Sequence, residues 1–402
     1  MTILMISPRI PAPPQDGGAL YVYNTIKGLH QRGHYIELAS FNSNLHTQAP
    51  DQLETYASVN HLDINFKSYG LAAFIKSLIS GKPVQIVHRM DRSVMSEILD
   101  KSNLENLDVI LLEGIHTAWF IELLRNKFPE KKIILRESNV EYLLLKRNAK
   151  REANPVKKVL LYHQATMMKK FEAEALQKVD AFTAISEYDR QLLSALVPKK
   201  KSAAIYPSIE IPEIRGLERD PYKMLMFADW NWQPNIQGLE WFLKEVWPPL
   251  KKAQPKVSLT VCGKGMPDSL LSIFNNDTQL HYKGFVEDLE EFKQRCGVML
   301  APLFSGSGIK LKIMESLASG LPVITTNSGA EGIPGLKENA HYLKANNAED
   351  FLQKINKLLN DCSLQKTLST QGRTLVKRNF SYKAQSQKLE SFIQKVINSP
   401  NS

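Results

Sequence analysis

The residues best suited to chemistry lie in one stretch, 301–325. An apolar run ends near Pro302, a turn containing Gly306 and Gly308 follows, and a helical pattern begins near Lys310. Glycine lets the backbone approach a ligand closely, and the unpaired N–H groups and dipole of a helix N-terminus favour an anion. The spacing predicts a phosphate-binding turn, although the same glycines also suit a plain tight turn between strand and helix.

Charged side chains beside this turn favour phosphate binding over the plain turn. Lys310 and Lys312 supply cationic donors for phosphate oxygens. Glu315 lies further along the predicted helix, where its carboxylate can accept hydrogen bonds from the hydroxyls of a ribose. The stretch therefore suits a nucleotide as well as a simple phosphate.

A second candidate is His116, which follows the apolar run Val109–Leu112 through Glu113 and Gly114. At the carboxyl end of a buried strand, a histidine faces the edge where ligands bind and can orient a sugar or a hydroxyl. An ordinary loop histidine is the alternative interpretation. Whether His116 or Glu113 acts as a base depends on the distance from its side chain to the proton it would accept and on its pKa, and a sequence contains neither.

Short apolar runs alternate with helical patterns along the chain, which predicts parallel sheets covered by helices on both faces. The pattern restarts after Pro207, and the stretch 207–216 has too many breakers for a packed element, so we interpret it as a linker. We expect an α/β protein of two doubly wound, Rossmann-like domains that face a central cleft. The predicted strands are Ile3–Ile6, Ile36–Phe41, Val109–Leu112, Ile133–Leu135, Ala181–Ile185, Ala203–Ile205, Met224–Ala228, Val257–Val261, Leu280–Tyr282, Val298–Ala301 and Val323–Thr326.

The net charge of +10 is shared evenly by the two halves of the chain, which argues against a nucleic-acid-binding arm. A diffuse positive field suits an anionic ligand or an anionic membrane surface. The three cysteines lack metal-ligand spacing and indicate reduced thiols. No targeting segment and no membrane-spanning run is expected.

One long helical pattern, Val156–Lys178, is rich in lysine and follows another basic stretch. A solvated face on a core helix is one interpretation, and a helix lying on a membrane surface is the alternative. The basic residues of the two stretches are Lys146, Arg147, Lys150, Arg151, Lys157, Lys158, Lys169, Lys170 and Lys178.

The motifs together resemble the retaining glycosyltransferases of family 4, which have the GT-B fold. In that family a strand leads to a Glu-Gly-Phe-Gly-like turn, a second Glu eight positions later, and then Ala-Gly-Pro-Val-like residues. Here the second Glu is Glu315, and the residues that follow it are Ala318, Gly320, Pro322 and Val323. This sequence resembles the branch with Gly-x-Gly-x-x-x-Lys before the retained Glu.

The resemblance implies a donor site in which the amides of Gly308, Ile309 and Lys310 hold a diphosphate and Glu315 holds the ribose. It also implies that the turn 283–287 reads the nucleobase, although Phe285 in that turn equally suits core packing. The expected donor-binding residues are Gly17, Gly18, Phe285, Val286, Gly306, Ser307, Gly308, Ile309, Lys312 and Glu315. The expected catalytic residues are Lys310, which offsets the charge of the leaving diphosphate, and His116.

Two of the chain's departures from the family pattern concern donor binding. Ser307 stands where the family has its first Glu, which commonly contacts the transferred sugar. The basic pair usual after the first strand of the second domain is absent, and Asp229 and Gln233 stand there instead. Lys310 and Lys312 are expected to supply the missing charge.

The expected function is that of a bacterial-type glycosyltransferase of polysaccharide biosynthesis, which moves a sugar with retention from a nucleotide diphosphate sugar to a hydroxyl of a carbohydrate or lipid-linked glycan. The nucleotide sugar is a co-substrate, and no cofactor, metal or nucleic acid is expected. A nucleotide-sugar epimerase of the same architecture is one alternative. A non-catalytic protein that binds nucleotide sugar is the other.

The expected domains are an acceptor-side domain over 1–205 and a nucleotide-sugar-binding domain over 206–380. A C-terminal helix within 381–402 is expected to cross back to the first domain. We expect a cytoplasmic protein, with a peripheral contact on the anionic inner face of the plasma membrane as an open question.

Overall fold

The computed structural model describes residues 1–14, 16–43, 49–64, 71–88, 92–102, 104, 106–305 and 308–400. The chain divides into two compact units. Met1–Ser208 and Tyr382–Ser402 form the first unit, and Ile209–Ser381 form the second. In the part of the chain that is described, no helix is long and apolar enough to cross a bilayer.

The first unit is built on a parallel sheet of seven strands. They are β1 Thr2–Ser7, β2 Tyr35–Ser43, β3 Ser58–Ile64, β4 Leu107–Glu113, β5 Lys132–Glu137, β6 Ala181–Ala184 and β7 Lys201–Ala204. Their order across the sheet is β3-β2-β1-β4-β5-β6-β7. The central strands β1, β4 and β5 are buried almost throughout, as expected for parallel strands that helices cover on both faces.

In the described part of the first unit, eight helices lie between β1 and β7. They are α1 Gly17–His30, α2 Leu71–Ser80, α3 Val84–Val87, α4 Arg92–Lys101, α5 Ile121–Lys127, α6 Glu141–Arg151, α7 Pro155–Lys178 and α8 Glu187–Ser194. Short 3-10 turns occupy Pro50–Gln52 and Ile115–Phe120. Helix α7 starts sharply because Asn154 accepts hydrogen bonds from the first amides and Pro155 fixes φ at the first helical position.

The second unit repeats the plan with a parallel sheet of six strands, in the order β10-β9-β8-β11-β12-β13. The strands are β8 Asp220–Phe227, β9 Ser258–Cys262, β10 Leu280–Tyr282, β11 Cys296–Ala301, β12 Val323–Thr325 and β13 Leu343–Lys344. The helices are α9 Gln233–Trp241, α10 Trp247–Ala253, α11 Asp268–Asn275, α12 Leu289–Arg295, α13 Leu311–Ala318, α14 Asn327–Ala330, α15 Ala348–Asn360 and α16 Cys362–Phe380. A π-helical turn, Phe242–Val246, joins α9 to α10.

The last helix, α17 Tyr382–Ile397, belongs to the first unit and packs against α1. Gly28 makes this packing close, because an added Cβ would stand 3.1 Å from Cβ of Ser386. Arg32 at the end of α1 also forms an ion pair with Glu390. The sheet of the first unit is therefore covered by a helix from the far end of the chain.

The predicted α/β architecture with two doubly wound parallel sheets is confirmed, with two local differences. Strands β3 and β13 were not predicted, because β3 is an edge strand with polar residues and β13 has only two residues. The single helix predicted over Gly238–Lys251 is divided by the π-helical turn that precedes Pro248 and Pro249. Proline has no N–H to continue the helical hydrogen bonds, which explains the break.

Candidate nucleotide-sugar site

The strand order of the second unit reverses between β8 and β11. Strands β9 and β10 lie beyond β8 on one side, and β12 and β13 lie beyond β11 on the other. In open α/β sheets, ligands bind outside the carboxyl ends of the strands at such a reversal. The two segments that leave this point are 228–232, which leads into α9, and 302–310, which leads into α13.

The turn into α13 carries the predicted phosphate-binding residues. Gly308 has φ of 82°, a left-handed conformation that glycine adopts without strain. Ile309 follows, and Lys310 is the N-cap residue of α13. The Lys310 side chain is buried and its Nζ donates a hydrogen bond of 2.6 Å to the carbonyl oxygen of Gly308. Gly306 and Ser307, which belong to the same predicted site, lie outside the described residues.

Lys312 connects the two helices that begin at the reversal. Its Nζ donates a hydrogen bond of 2.7 Å to Oδ1 of Asn235, in the first turn of α9. Asn235 is itself oriented, because its Nδ2 donates 2.7 Å to the carbonyl oxygen of Asp229. Burial, helped by the charge of Lys310, lowers the pKa of Lys312 to about 7. An anion bound beside this amine would raise its pKa again, so Lys312 suits phosphate binding.

Glu315 lies one helical turn beyond Lys312 on α13. Burial raises the pKa of its carboxyl, while the ammonium groups of Lys293 and Lys312 act in the opposite direction. Lys293 is already paired with Glu290 over 2.7 Å. The Glu315 carboxylate is therefore held in a partly desolvated environment, where hydrogen bonds from ligand hydroxyls are stronger than in water.

The turn after β10 exposes Phe285, so the interpretation of this ring as core packing is wrong. The side chain is 64% exposed, and Nζ of Lys264 lies 4.3 Å from the ring centroid. Val286 beside it is half-buried. The turn is fixed to the end of β9 by a hydrogen bond of 2.7 Å from the amide of Gly263 to the carbonyl of Gly284. An exposed ring at the carboxyl edge of the sheet offers a flat face to an aromatic base.

Two glycines let the loops at this edge approach one another closely. A Cβ on Gly238 would stand 2.0 Å from the carbonyl oxygen of Pro302, so α9 touches the segment that leaves β11. Gly263 has φ of 126°, and its Cβ would stand 1.8 Å from the carbonyl oxygen of Ala228. Side chains at either position would push apart the segments that carry Asn235 and the phosphate-binding turn.

In the first unit the strand order reverses between β1 and β4. Gly17 and Gly18 begin α1 at this point, but the amide of Gly18 already donates 2.9 Å to Oδ1 of Asp16. Asp16 also pairs with Arg9 over 2.5 Å. Although burial acts to raise it, this guanidinium and the capped amides hold the pKa of Asp16 below its usual value. A diphosphate at Gly18 would therefore have to displace a carboxylate, with Arg9 as the nearby cation.

His116 lies in the 3-10 turn that follows β4, at the same reversal. The turn is anchored to the end of β5 by two hydrogen bonds. The amide of Gly114 donates 2.7 Å to the carbonyl of Arg136, and the amide of Ile115 donates 3.0 Å to Oε2 of Glu137. His116 is half-buried, and its position after β4 at the reversal is compatible with the predicted role.

Glu113, in contrast, is a structural residue. It is 3% exposed, and its Oε1 accepts a hydrogen bond of 2.6 Å from Nη1 of the fully buried Arg136. Arg136 is further held by Oγ1 of Thr25 at 2.8 Å and by the ring of Tyr21 at 4.7 Å. A carboxylate committed to a buried guanidinium in this way is a poor general base.

Within the described residues, two buried carboxyl groups have no cationic partner. Oε1 of Glu137 is buried and has no hydrogen-bond partner within the described residues. Glu172 on α7 accepts hydrogen bonds from the amides of Glu141 and Tyr142, at 2.8 and 3.3 Å, and so caps α6. Burial raises the pKa of Glu137 well above its usual value, and the charge of Glu172 raises it further. At least one of the two carboxyl groups is expected to hold a proton at neutral pH.

We predict that Glu172 makes the stability of the protein depend on pH. Burial raises its pKa to about 8 in the folded chain, against about 4.3 when unfolded. The folded state then binds more protons than the unfolded state, so this group lowers the unfolding free energy progressively from about pH 4.5 to pH 8. Melting temperatures of the wild type and Glu172→Gln, measured every half pH unit, should show a steeper fall for the wild type. Parallel curves would contradict the prediction.

Asn235, Glu137 and Glu172 were not identified as site residues from the sequence. Asn235 had a usable signal, because it lies shortly after the carboxyl end of the first strand of the repeated pattern, and ligands of open α/β sheets bind at that edge. Glu137 and Glu172 gave none. Burial of a carboxyl without a cation depends on the packing of α7, which residue types do not reveal.

The described residues contain no group of three or more histidine, cysteine, aspartate or glutamate side chains that would hold a metal ion. Cys262 and Cys296 are buried free thiols, and Cys362 is an exposed one. Burial raises the pKa of Cys262 to about 11, so this thiol is not ionised at neutral pH.

Comparisons with known proteins support the same interpretation of the geometry. Residues 222–361 match the family described as Glycosyl transferases group 1. A Klebsiella pneumoniae relative, described as an uncharacterized 44.6 kDa protein in the cps region, is 22% identical over 95% of this chain and 97% of its own. The crystal structure of Anabaena HepE in complex with UDP superimposes with a TM-score of 0.63 at 12% identity, covering 98% of this chain and all of that one.

A third similarity is confined to part of the chain. The N,N'-diacetylbacillosaminyl-diphospho-undecaprenol alpha-1,3-N-acetylgalactosaminyltransferase of Campylobacter jejuni is 30% identical over 24% of this chain and 26% of its own. The full-length structural match shows that the chain has the GT-B fold. The sequence match to the group 1 glycosyltransferases covers residues 222–361, which lie in the second unit.

Proposed function

We propose that this enzyme transfers a sugar from a nucleotide diphosphate sugar to a hydroxyl of a carbohydrate or lipid-linked glycan, with retention of the anomeric configuration. The observation that carries the proposal is the Lys312–Asn235 contact at the reversal between β8 and β11. In this contact a half-buried amine lies beside the entry to α13, where the helix dipole also favours an anion.

In this proposal the donor diphosphate rests against the amides of Gly308, Ile309 and Lys310. The ammonium groups of Lys310 and Lys312 offset the charge that grows on the diphosphate as the glycosidic bond breaks. Lys310 is buried and Lys312 is half-buried, so both act in a reduced dielectric and need little reorganisation. Glu315 accepts hydrogen bonds from the ribose, and the exposed Phe285 lies against the nucleobase.

The acceptor is proposed to bind to the first unit, whose strand-order reversal carries His116 and the start of α1. His116 is proposed to orient the attacking hydroxyl or the sugar. A lipid-linked acceptor is the first class to test, since the Campylobacter relative is described as acting on a diphospho-undecaprenol substrate. Such an acceptor is consistent with an enzyme that works at the inner face of the plasma membrane.

The first experiment is a donor screen. UDP sugars are the natural starting set because UDP is the nucleotide in the HepE complex. A donor that binds the folded chain raises the melting temperature by mass action. The donors selected are then incubated with the enzyme, with and without short lipid-linked acceptors. NMR of the product's anomeric proton reports whether the configuration is retained.

Three outcomes separate the proposal from its alternatives. Transfer that requires an acceptor and retains the configuration supports a glycosyltransferase of this kind. Release of an epimerised sugar without any acceptor identifies an epimerase. Tight donor binding with neither transfer nor slow donor hydrolysis identifies a non-catalytic nucleotide-sugar-binding protein.

A further inference from the structure

The Glu315 carboxylate is half-buried on α13, yet no described residue donates a hydrogen bond to it or forms an ion pair with it. Burial raises the pKa of this carboxyl, because a partly desolvated anion is costly. A carboxyl group in such a place ordinarily takes up a proton or pairs with a neighbouring cation. Either outcome would remove the charged, open oxygens that the proposed contact with a ribose needs.

Lys312, one turn earlier on the same helix, does not provide this pairing. Its Nζ donates 2.7 Å to Oδ1 of Asn235, so the ammonium is directed to the start of α9. Residues three positions apart on a helix can form an ion pair, and Lys312 has this spacing from Glu315. The choice of Asn235 as the partner therefore leaves the Glu315 oxygens open.

A second cation, Lys293 of α12, is held beside α13 from the other side. Lys293 is 9% exposed, and its Nζ lies 2.7 Å from Oε2 of Glu290. The same oxygen accepts a hydrogen bond of 2.9 Å from Oγ of Ser319. Ser319 follows Glu315 by one helical turn, and its Oγ also lies 2.9 Å from the carbonyl oxygen of Glu315. The Lys293 ammonium is therefore fixed beside the last turn of α13, the turn that begins at Glu315.

Glu290 is itself held by a buried amide side chain. Nε2 of Gln294 donates 2.9 Å to Oε1 of Glu290 and 2.7 Å to the carbonyl oxygen of Glu213. Gln294 is buried, and its Oε1 accepts a hydrogen bond of 2.8 Å from the amide of Arg215. Both oxygens of Glu290 are thus engaged, so this carboxylate has a fixed position in which it holds the Lys293 ammonium.

We propose that Lys293 and Glu290 are positioning residues for donor binding. The Lys293 ammonium balances the charge of Glu315, and Glu290 holds that ammonium away from the Glu315 oxygens, which stay free to accept from the ribose hydroxyls. Burial has the largest effect on the pKa of Glu315 and raises it, and the charge of Lys293 has the largest opposing effect. This inference rests on the proposed role of Glu315 and assigns the two residues that make the role possible.

The test compares the dissociation constants of UDP and its 2′,3′-dideoxy analogue, measured by titration calorimetry (or of the nucleoside diphosphate that the donor screen selects instead). Lys293→Met should weaken binding of the parent compound about tenfold and of the dideoxy analogue at most about twofold, because only the parent has hydroxyls that donate to Glu315. Lys293→Arg should restore most of the wild-type affinity, because a guanidinium keeps the charge and can pair with Glu290.

Glu290→Gln is the second variant, and it leaves no buried anion without a cation. The amide oxygen can still accept from Ser319, but the Lys293 ammonium is released and can pair with Glu315. Binding of the parent compound should fall about three- to tenfold, because the ribose must then displace the ammonium. The melting temperature without ligand should equal or exceed that of the wild type.

Arg295→Met is the matched control, because Arg295 also pairs with a glutamate one turn away on α12 but is exposed. It should bind both ligands like the wild type. In the Glu315→Gln background, Lys293→Met should have little further effect on either ligand, because the carboxylate through which Lys293 acts is absent.

An equal loss of affinity for the two ligands in Lys293→Met would overturn the inference, since the ion pair would then serve only to anchor α12 to α13. So would a wild-type difference between the ligands in both Lys293→Met and Glu290→Gln, or a wild type that binds the two ligands equally. These binding measurements need no sugar transfer. A chain that shows the expected binding pattern but transfers no sugar would support the inference and reject the proposed function instead.

Discussion

Lys312→Met is expected to reduce turnover on the order of 100-fold or more, while donor affinity falls less. The diphosphate carries its greatest charge in the transition state, so a preorganised cation stabilises that state more than the bound donor. Methionine keeps most of the apolar stem but has no charge and no donor for Asn235. Steady-state kinetics with saturating donor give turnover, and thermal shift with the nucleotide diphosphate gives affinity.

Lys310→Met is the paired variant, and a smaller loss is expected from it. The sequence alone favoured Lys310 as the catalytic lysine, but its Nζ donates to the carbonyl of Gly308 within its own turn, whereas Lys312 reaches across to α9. Lys357→Met, at an exposed lysine on α15 of the same unit, controls for a general loss of charge. A greater loss in Lys310→Met would restore the original assignment. Normal turnover in both variants would mean that the amides at the start of α13 stabilise the leaving diphosphate without help from either lysine.

The same lysine gives donor binding a characteristic pH dependence. Since the pKa of Lys312 is lowered to about 7, half of the free enzyme carries a neutral amine at that pH. A diphosphate binds the charged form and raises the pKa, so binding takes up a proton. The dissociation constant of the nucleotide diphosphate should therefore rise between about pH 7 and 9, above the titration of the ligand's own phosphate near 6. Lys312→Met should remove most of this rise.

Much of the architecture was predictable because buried parallel strands have a strong local signature. Continuous apolar runs such as Ile3–Ile6 and Val298–Ala301 gave the central strands of both sheets. The edge strands β7 and β10 were predicted, but β3 and β13 were missed, since β3 carries polar residues and β13 has only two residues. The order of the strands, and with it the position of each reversal, is a property of tertiary packing that local patterns do not contain.

The candidate site was predictable only where its residues are adjacent in the sequence. Gly308, Lys310, Lys312 and Glu315 lie within one turn and one helix, so their spacing carried the signal. Asn235 comes from another helix and joins them through a contact of 2.7 Å that only the folded chain creates. Glu113 shows the opposite error. Its place at a strand end suggested chemistry, and its burial against Arg136 removes it from consideration.

Glu315→Gln is expected to weaken donor binding by roughly 1.5–3 kcal/mol, or about 10- to 150-fold, with little change in the fold. The amide keeps the size of the side chain but loses the charge that makes its hydrogen bonds to the ribose strong. Burial raises the pKa of Glu315, so an anion at this position is already costly in the free enzyme and removing it should not destabilise the chain. The melting temperature without ligand should therefore equal or exceed that of the wild type.

The ligands for this test are a nucleoside diphosphate and its 2′,3′-dideoxy analogue. The wild type should bind the dideoxy compound more weakly than the parent compound, because the dideoxy ribose has no hydroxyl that can donate a hydrogen bond to the Glu315 carboxylate. In Glu315→Gln the difference in binding free energy between the two ligands should shrink, because the charged partner of the ribose hydroxyls is already gone. Comparing both ligands on both proteins isolates the free energy of the contact between the carboxylate and the ribose. Glu349→Gln changes an exposed carboxyl in the first turn of α15 and serves as the control. If the two ligands bind Glu315→Gln with the wild-type difference, the carboxylate does not contact the ribose, and its buried charge must instead serve the neighbouring lysines Lys293 and Lys312.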